Sequence, residues 1–392
     1  MNQPASILAA LRTPFAKADP QSGYFRWTRA DDLAAGLVRA LLDRLGPAAS
    51  AVDEIFWGCV KQQGEQGFNL ARTVGLLAGL PPTVAAATVN RACASGLEAI
   101  RQAALAVAAG QARLVIAGGV EHLHHVPIDP VGVTNPRLYH TFSPATQQMG
   151  QCAEYLARRY GISRAEQDAF ACRSHLRAAQ AQAAGAFASQ IVPTPGHDAD
   201  GWPTRFAHDQ SLRVNHSAAA MAALPPVFCE TGTVTAGNSC PLSVGAAAVV
   251  VGSVSLARVF GLTPLAHLRS VAVVGTTPAL MGLGPVAALV RACERADLHP
   301  HQLDLVEINE AFAVQVLACL RELPLDPARV NPQGGALALG HPLGATGARL
   351  VGSVALRLHQ GAGRYAAVAM CVGGGQGMAM ILERATETGE SG

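Results

Sequence analysis

Nine cysteines, thirteen histidines and forty glycines are spread along 392 residues. Four short stretches gather those able to do chemistry. The first is Val89-Asn90-Arg91-Ala92-Cys93-Ala94-Ser95-Gly96. A thiol among small neighbours leaves room for a carbonyl carbon to approach, and its thiolate is a strong nucleophile. Thr83 to Val89 reads as a strand. Beyond the cysteine, Leu97, Ile100, Ala104, Leu105 and Ala108 recur at helical spacing until Gly110. Cys93 is therefore expected on a tight strand-to-helix turn, where free N–H groups and the helix dipole favour thiolate. A buried structural thiol remains the alternative on this segment alone.

The other three stretches lie near the far end of the chain. Asn309-Glu310-Ala311-Phe312-Ala313 follows a strand from Leu305 to Ile308. His341 stands in the glycine-rich run from Gly334 to Gly347, and Cys371-Val372-Gly373-Gly374-Gly375 follows a strand from Tyr365 to Met370. Together they offer an amide, an imidazole and a second thiol at strand ends. Gly335 to Gly340 has phosphate-loop spacing, but His341 occupies the place that needs lysine, so that reading is set aside. Gly373 to Gly377 has no following helix with a ribose-binding acid and is not read as a dinucleotide loop. His122, His124 and His125 have no carboxylate or cysteine at ligand spacing in the sequence, so they are read as loop residues and no metal is expected.

The elements that must position these groups alternate. Ser6 to Leu11 is a strand, Asp31 to Leu45 an amphipathic helix, Glu54 to Val60 a strand, and Arg113 to Ala117 another, ending at Gly118-Gly119. Alternation of this kind predicts an α/β protein with a largely parallel sheet covered on both faces. From about Glu121 the texture changes to histidines, prolines and long loops, with one helix opened by the capping box Ser163 to Glu166. Gly196 to Gly201 reads as turns. The first pattern then recurs. Asp53, Val89-Asn90 and Gly118-Gly119 are echoed by Asp304, Val330-Asn331 and Gly373-Gly374 at offsets of 241 to 255 residues. Two fused, pseudo-symmetric copies of one α/β unit are expected, with strand-end loops meeting in one cleft. The expected ranges are 1–120 for the first half, completed by about 241–262, then 121–240 for an insertion and 263–392 for the second half.

Half of the residues are hydrophobic, 14% are charged and the net charge is +2, so a large core is easily built and no nucleic-acid footprint is present. Met1 to Pro4 does not read as a signal peptide, and the uncharged run Thr231 to Ala257 contains Gly, Asn, Ser and Pro rather than a membrane span. Nine cysteines without a CxxC pair fit reduced thiols, hence a cytoplasmic setting.

The Cys93 segment, Asn309-Glu310-Ala311-Phe312, Gly340-His341-Pro342 and Cys371-Val372-Gly373-Gly374-Gly375 together resemble a thiolase across the whole chain. Asp53 to Val60, Glu65 to Asn69 and Gly118 to His122 are most similar to the thiolase subunit of bacterial fatty-acid oxidation complexes. The resemblance implies cleavage of a 3-ketoacyl-CoA by CoA. Cys93 would be the nucleophile, His341 its activator, and Cys371 the acid–base. Asn309, holding a water beside His341, would serve an enolate, and the N–H groups of Cys93 and Gly373 a tetrahedral oxyanion. The insertion would bind CoA through Met149, Phe228 and Cys240, with Phe312 near the acyl thioester. CoA is then a co-substrate, and no tightly bound cofactor is needed. Pro225, Cys240 and Val244 depart from the family pattern on the CoA side. The resemblance further implies a homodimer or homotetramer and association with a hydratase/dehydrogenase subunit. Three competing readings remain: condensation of two acetyl-CoA in the reverse direction, a ketoacyl synthase (disfavoured by Cys371), and an acyl-CoA-binding protein without turnover.

Overall fold

The computed structural model describes residues 4–128, 135–213 and 217–385. The Met1-to-Pro4 reading and the expected domain ranges therefore lie partly outside the described residues. The first half comprises β1 (Ala5–Arg12), β2 (Ala16–Lys17), α1 (Ala30–Leu45), β3 (Val52–Gly58), α2 (Leu70–Leu77), β4 (Ala85–Val89), α3 (Ser95–Ala108) and β5 (Leu114–His122). An insertion carries α4 (Met149–Tyr160), α5 (Arg164–Ala183), the hairpin β6 (Thr194–His197) and β7 (Pro203–Phe206), and α6 (Ala218–Ala222). β8 (Ser243–Ser253) and α7 (Val254–Val259) complete the first half. The second half runs through β9 (Ala266–Gly275), α8 (Gly284–Arg295), β10 (Leu305–Ile308), α9 (Ala313–Glu322), α10 (Ala336–Leu339), α11 (Leu343–His359), β11 (Tyr365–Val372) and β12 (Gln376–Arg384).

The strand path is β10-β11-β12-β9-β1-β8-β5-β3-β4, with β2 beside β8. Each half uses one recipe: a parallel pair (β3–β5, β10–β11), then two antiparallel neighbours (β5–β8–β1, β11–β12–β9). The halves join through a short β1–β9 ladder at Ser6–His267 and Ile7–Ala266. The strands are therefore mixed in direction rather than largely parallel.

Strand alternation sorts side chains into layers. Val115 and Ala117 of β5, Val249 and Val251 of β8, and Val368 and Met370 of β11 face a shared core around α3 and α11. The intervening residues of the first half, such as Leu114, Ile116 and Val250, pack under α1 and α2. Those of the second half, such as Ala367 and Ile381, pack under α8 and α9. Leu37, Val38, Leu41 and Leu45 form the buried stripe of α1, each contributing roughly 1.5–3 kcal/mol. α3 and α11 are thus enclosed between both halves. They cross at glycines, since a Cβ on Gly96 would lie 2.5 Å from the Gly344 carbonyl oxygen and one on Gly347 would strike Leu97.

Two boundaries differ from the sequence reading. β5 does not stop at Gly118-Gly119 but continues to His122. There glycine marks close packing, because a Cβ on Gly118 would meet the Ala247 carbonyl oxygen at 2.5 Å and one on Gly119 would strike Gly344. Glu121 and His122 are therefore buried strand residues rather than loop residues. Gly196 and His197 belong to β6, and the turn is Asp198 to Gly201, closed by the Gly201 N–H on the Asp198 carbonyl at 3.1 Å. The insertion is also more helical than its texture suggests. It leaves the first half yet packs on the second: Phe170 and Ala171 of α5 join the α8–α9 core, and Cys152, Ala153 and Leu156 of α4 pack with Phe312 and Val314.

Candidate active site

The Cys93 turn is built from its own polar side chains. Asn90 Oδ1 accepts the Ala92 N–H at 2.9 Å, Ser95 Oγ accepts the Arg91 N–H at 2.9 Å, and the Ser95 hydroxyl donates to the Ala92 carbonyl at 2.6 Å. Ala92 is forced to φ +42, a region costly for a residue with a Cβ. Cys93 emerges two residues before α3, partly exposed. Its sulfur faces the N–H groups of Gly373 and of Cys93 itself. These favour thiolate, as the turn position implied, but desolvation outweighs them. Burial pushes the Cys93 thiol up to about 11, with a smaller rise from the Glu121 charge. The helix end therefore favours thiolate without supplying it, and a base is needed to take the proton, the part the family resemblance gives to His341.

His341 is that candidate base. It is buried, and burial first, then Arg349, lowers its imidazole to about 3, so the ring is neutral. Thr346 Oγ1 donates to the Pro342 carbonyl at 3.2 Å and meets His341 Nδ1 at 2.7 Å. Its single proton being used, the hydroxyl accepts from Nδ1–H, which leaves Nε2 as the acceptor nitrogen of the ring. Asn309 Nδ2 lies 3.3 Å from that Nε2. Asn309 Oδ1 is buried without a protein partner. The amide thus contacts the imidazole directly and keeps its oxygen free of protein partners.

Cys371 ends β11 beside this pair, since the Asn309 N–H donates to the Ala369 carbonyl at 2.9 Å. Burial raises the Cys371 thiol well above its ordinary range, followed by the charges of Cys93, Cys319 and Cys240. Burial likewise pushes Cys240 up to about 12, with Cys93 the next cause. Three thiols from distant parts of the chain therefore lie close enough for their charges to interact.

Met149, Phe228 and Phe312 pack with Cys371 in one apolar wall, Phe228 meeting Phe312 edge-on at 6.0 Å. A Cβ on Gly373 would touch Met149 Sδ at 3.7 Å. Cys240 is tied to this wall through its N–H on the Ala311 carbonyl at 3.0 Å. Val244 is not part of it. It is buried in a separate cluster with Phe25 and Leu33, so its departure from the family pattern sits behind the first-half sheet.

Several residues escaped the sequence reading because their partners are remote. Glu310 accepts from the Ser174 hydroxyl (2.6 Å), Asn331 Nδ2 (2.9 Å) and the Leu337 N–H (3.2 Å), which staples the Asn309 loop to the run before His341. Ser243 Oγ accepts the His341 N–H at 3.0 Å. Thr346 was visible only as part of a glycine-rich run. The histidine cluster does have a carboxylate nearby, Glu65, supplied by another loop. Its ring nitrogens are nonetheless engaged: His122 with the Phe25 carbonyl (3.0 Å) and the His125 N–H (3.0 Å), His125 with the Arg26 carbonyl (2.8 Å) and Glu65 (3.0 Å).

Comparison with known proteins decides the family. The thiolase N-terminal domain matches residues 5–255 and the thiolase C-terminal domain matches residues 262–384. The chain belongs to the thiolase family. Among similar thiolases, the 3-ketoacyl-CoA thiolases of Enterobacter sp. (strain 638) and Escherichia coli O1:K1 / APEC are each 46% identical over 384 residues, covering 96% of this chain and 98% of theirs. The crystal structure of human mitochondrial 3-ketoacyl-CoA thiolase superposes with a TM-score of 0.89 at 34% identity, covering 98% of this chain and 99% of that one. The mixed sheet and paired halves described above are this thiolase architecture.

Proposed function

We propose that the protein is a 3-ketoacyl-CoA thiolase, an acyltransferase that passes the acyl group of a 3-ketoacyl-CoA to CoA and releases acetyl-CoA. One observation carries the reading: the Cys93 sulfur faces the Gly373 N–H and lies close enough to Cys371 for their charges to interact, while His341 Nε2 accepts from the Asn309 amide. His341 Nε2 takes the Cys93 proton as the sulfur adds to the 3-keto carbon. The N–H groups of Cys93 and Gly373 hold the tetrahedral oxyanion, and loss of such a donor costs on the order of 100-fold in rate. The C2–C3 bond breaks, leaving an acyl thioester on Cys93. The departing acetyl-CoA enolate is held by Asn309 and His341 and takes a proton from Cys371. CoA then gives its thiol proton to Cys371 and displaces the acyl group. Splitting the transfer in two replaces one difficult step with two easier ones. CoA is a co-substrate along the Met149–Phe228–Phe312 wall, with Cys240 at its base. The same steps run backwards as acetyl-CoA condensation.

Supporting a second copy as partner, β4 is hydrogen-bonded on one side only, and Leu76, Leu77 and Leu105 are exposed among the described residues. A homodimer or homotetramer is therefore part of the proposal, as is a hydratase/dehydrogenase partner, which rests on the family resemblance. A cytoplasmic setting fits nine unpaired cysteines. No helix among the described residues is long and apolar enough to cross a membrane.

Mass spectrometry after mixing with acetoacetyl-CoA tests the reading. An acetyl group on the Cys93 peptide, absent in Cys93→Ala, is expected, together with thiolysis across a series of 3-ketoacyl-CoA lengths. An unmodified Cys93 with near-zero thiolysis at every length would favour binding without turnover.

A further inference from the structure

Glu121 is buried at the end of β5 and accepts hydrogen bonds from five donors. Its Oε1 takes the Lys61 N–H at 2.9 Å and Gln66 Nε2 at 3.2 Å, with Cys59 Sγ at 3.8 Å. Its Oε2 takes the Val60 N–H at 3.1 Å and the Gly344 N–H at 2.9 Å. Every one of these contacts is a donor and favours the carboxylate anion, opposing the burial that raises the Glu121 carboxyl above its ordinary range. Gly344 lies in the first turn of α11, whose Pro342 N-cap offers no side-chain acceptor. Glu121 therefore caps this helix from across the fold, satisfying an N–H left open at its positive end.

The helix so capped carries Thr346, which fixes the His341 ring. In the other direction a chain of hydrogen bonds reaches the nucleophile. Glu121 holds the Val60 N–H, the Val60 carbonyl accepts Asn90 Nδ2 at 3.0 Å, and Asn90 Oδ1 accepts the Ala92 N–H at 2.9 Å. Ala92, at φ +42, precedes Cys93. One carboxylate thus lies midway between the two groups that must exchange a proton.

We propose that Glu121 is a positioning residue for acyl transfer: it registers the Cys93 turn against the His341 loop across the two halves. The proposal rests on the acyl-transfer reading above. It assigns a role to a residue that touches neither substrate nor reacting atoms. A displacement of the order of 1 Å between catalytic groups costs about 100-fold, and that is the scale expected.

Glu121→Gln keeps the shape but turns an amide N–H2 against backbone donors. Its kcat for thiolysis is expected to fall about 100-fold, with KM for the acyl-CoA within about threefold. Alkylation of Cys93 by iodoacetamide needs no imidazole and should persist. Its pH curve should move to lower pH, because the Glu121 charge raises the Cys93 thiol. Glu121→Asp retains the charge and should recover part of the kcat. Asn90→Ala breaks the same chain at an exposed residue, where folding is not at stake, and should lose about 10-fold in kcat alone.

The proposal is overturned if Glu121→Gln turns over at the wild-type kcat. It is overturned equally if that variant loses turnover while the pH curve of Cys93 alkylation stays unmoved, or if Asn90→Ala is indistinguishable from wild type. Should both Glu121 variants fail to fold, Asn90→Ala alone decides. Failure of the acyl-transfer reading looks different, because the wild-type enzyme itself would then leave Cys93 unacylated.

Discussion

The two halves of the molecule share a frame and divide the chemistry. In the first, Asp53 accepts the Arg113 N–H at 2.7 Å; in the second, Asp304 accepts the Arg364 N–H at 2.7 Å, each pair sixty residues apart. Cys93 precedes α3 by two residues, and His341 precedes α11 by two. Each half also holds a non-glycine residue in the left-handed region in its echoed Val-Asn segment, Ala92 at φ +42 just after Asn90 and Asn331 at φ +47. The difference lies at the strand ends. β5 ends in a buried carboxylate, Glu121, whereas β11 ends in a thiol, Cys371, followed by Gly373. In the proposed mechanism the first half supplies the nucleophile and the carboxylate that aligns it, and the second the base, the proton carrier and an oxyanion donor. Neither half holds a complete site, which explains why α3 and α11 must cross so tightly.

The division can be broken at three levels. The largest effect is expected from Cys371→Ala, which removes the second-half proton carrier and leaves the first-half nucleophile. Turnover should fall about 1,000-fold or more, while acetyl-CoA, whose CoA can leave as a thiolate without an acid, still acylates Cys93 slowly in a mass spectrum. Loss of acylation as well would show that the thiols do not have separate duties. The next effect concerns the base. Thr346→Val frees the His341 ring and should lower kcat about 10-fold, with Thr346→Ser restoring it. Because burial holds His341 near 3, wild-type kcat should show no acid limb between pH 6 and 7, and an imidazole-like limb there would contradict the neutral base.

The smallest effect concerns the shared frame. The Arg113 side chain, first among its contacts, holds the Asp53 carboxyl below its ordinary value. A lowered folded-state value stabilises above the unfolded one and loses its contribution as pH falls through the folded value. Asp53→Ala should lower Tm by about 2 °C or less near neutrality, with the difference vanishing toward pH 3 in thermal scans. Asp304→Ala should match it in size if the halves are equivalent struts, and a much larger loss would mean the second half bears more of the load.

Much of the frame was legible because it rests on local pattern. The α1 stripe, the apolar run of β1 and the capping box at Ser163 each announce themselves within one window of residues. The motifs marked Cys93, Asn309, His341 and Cys371 as candidates, and the fold brings Asn309 against His341 and Cys93 within range of Cys371. What escaped depends on partners far away. Glu121 was one letter in a Gly-Gly-Val-Glu-His run until Gly344 and Val60 closed on it. Thr346 looked like filler between glycines, and Glu65 stood remote from the histidines it joins. Gly118-Gly119 misled because glycine usually breaks a strand, whereas here it lets α11 approach the sheet. The thiol misled in another way: the helix entrance was visible, but the desolvation that outweighs it requires the whole fold.

The meeting of α3 and α11 at bare backbone has a practical consequence for anyone wishing to reshape this protein. Gly96, Gly119, Gly344 and Gly347 leave no adjustable side chain in the gap, so the spacing there is either kept or lost, with no graded series between. Variants with altered substrate range should therefore be sought along Met149, Phe228 and Phe312, where bulk can be traded atom by atom without disturbing the crossing beneath.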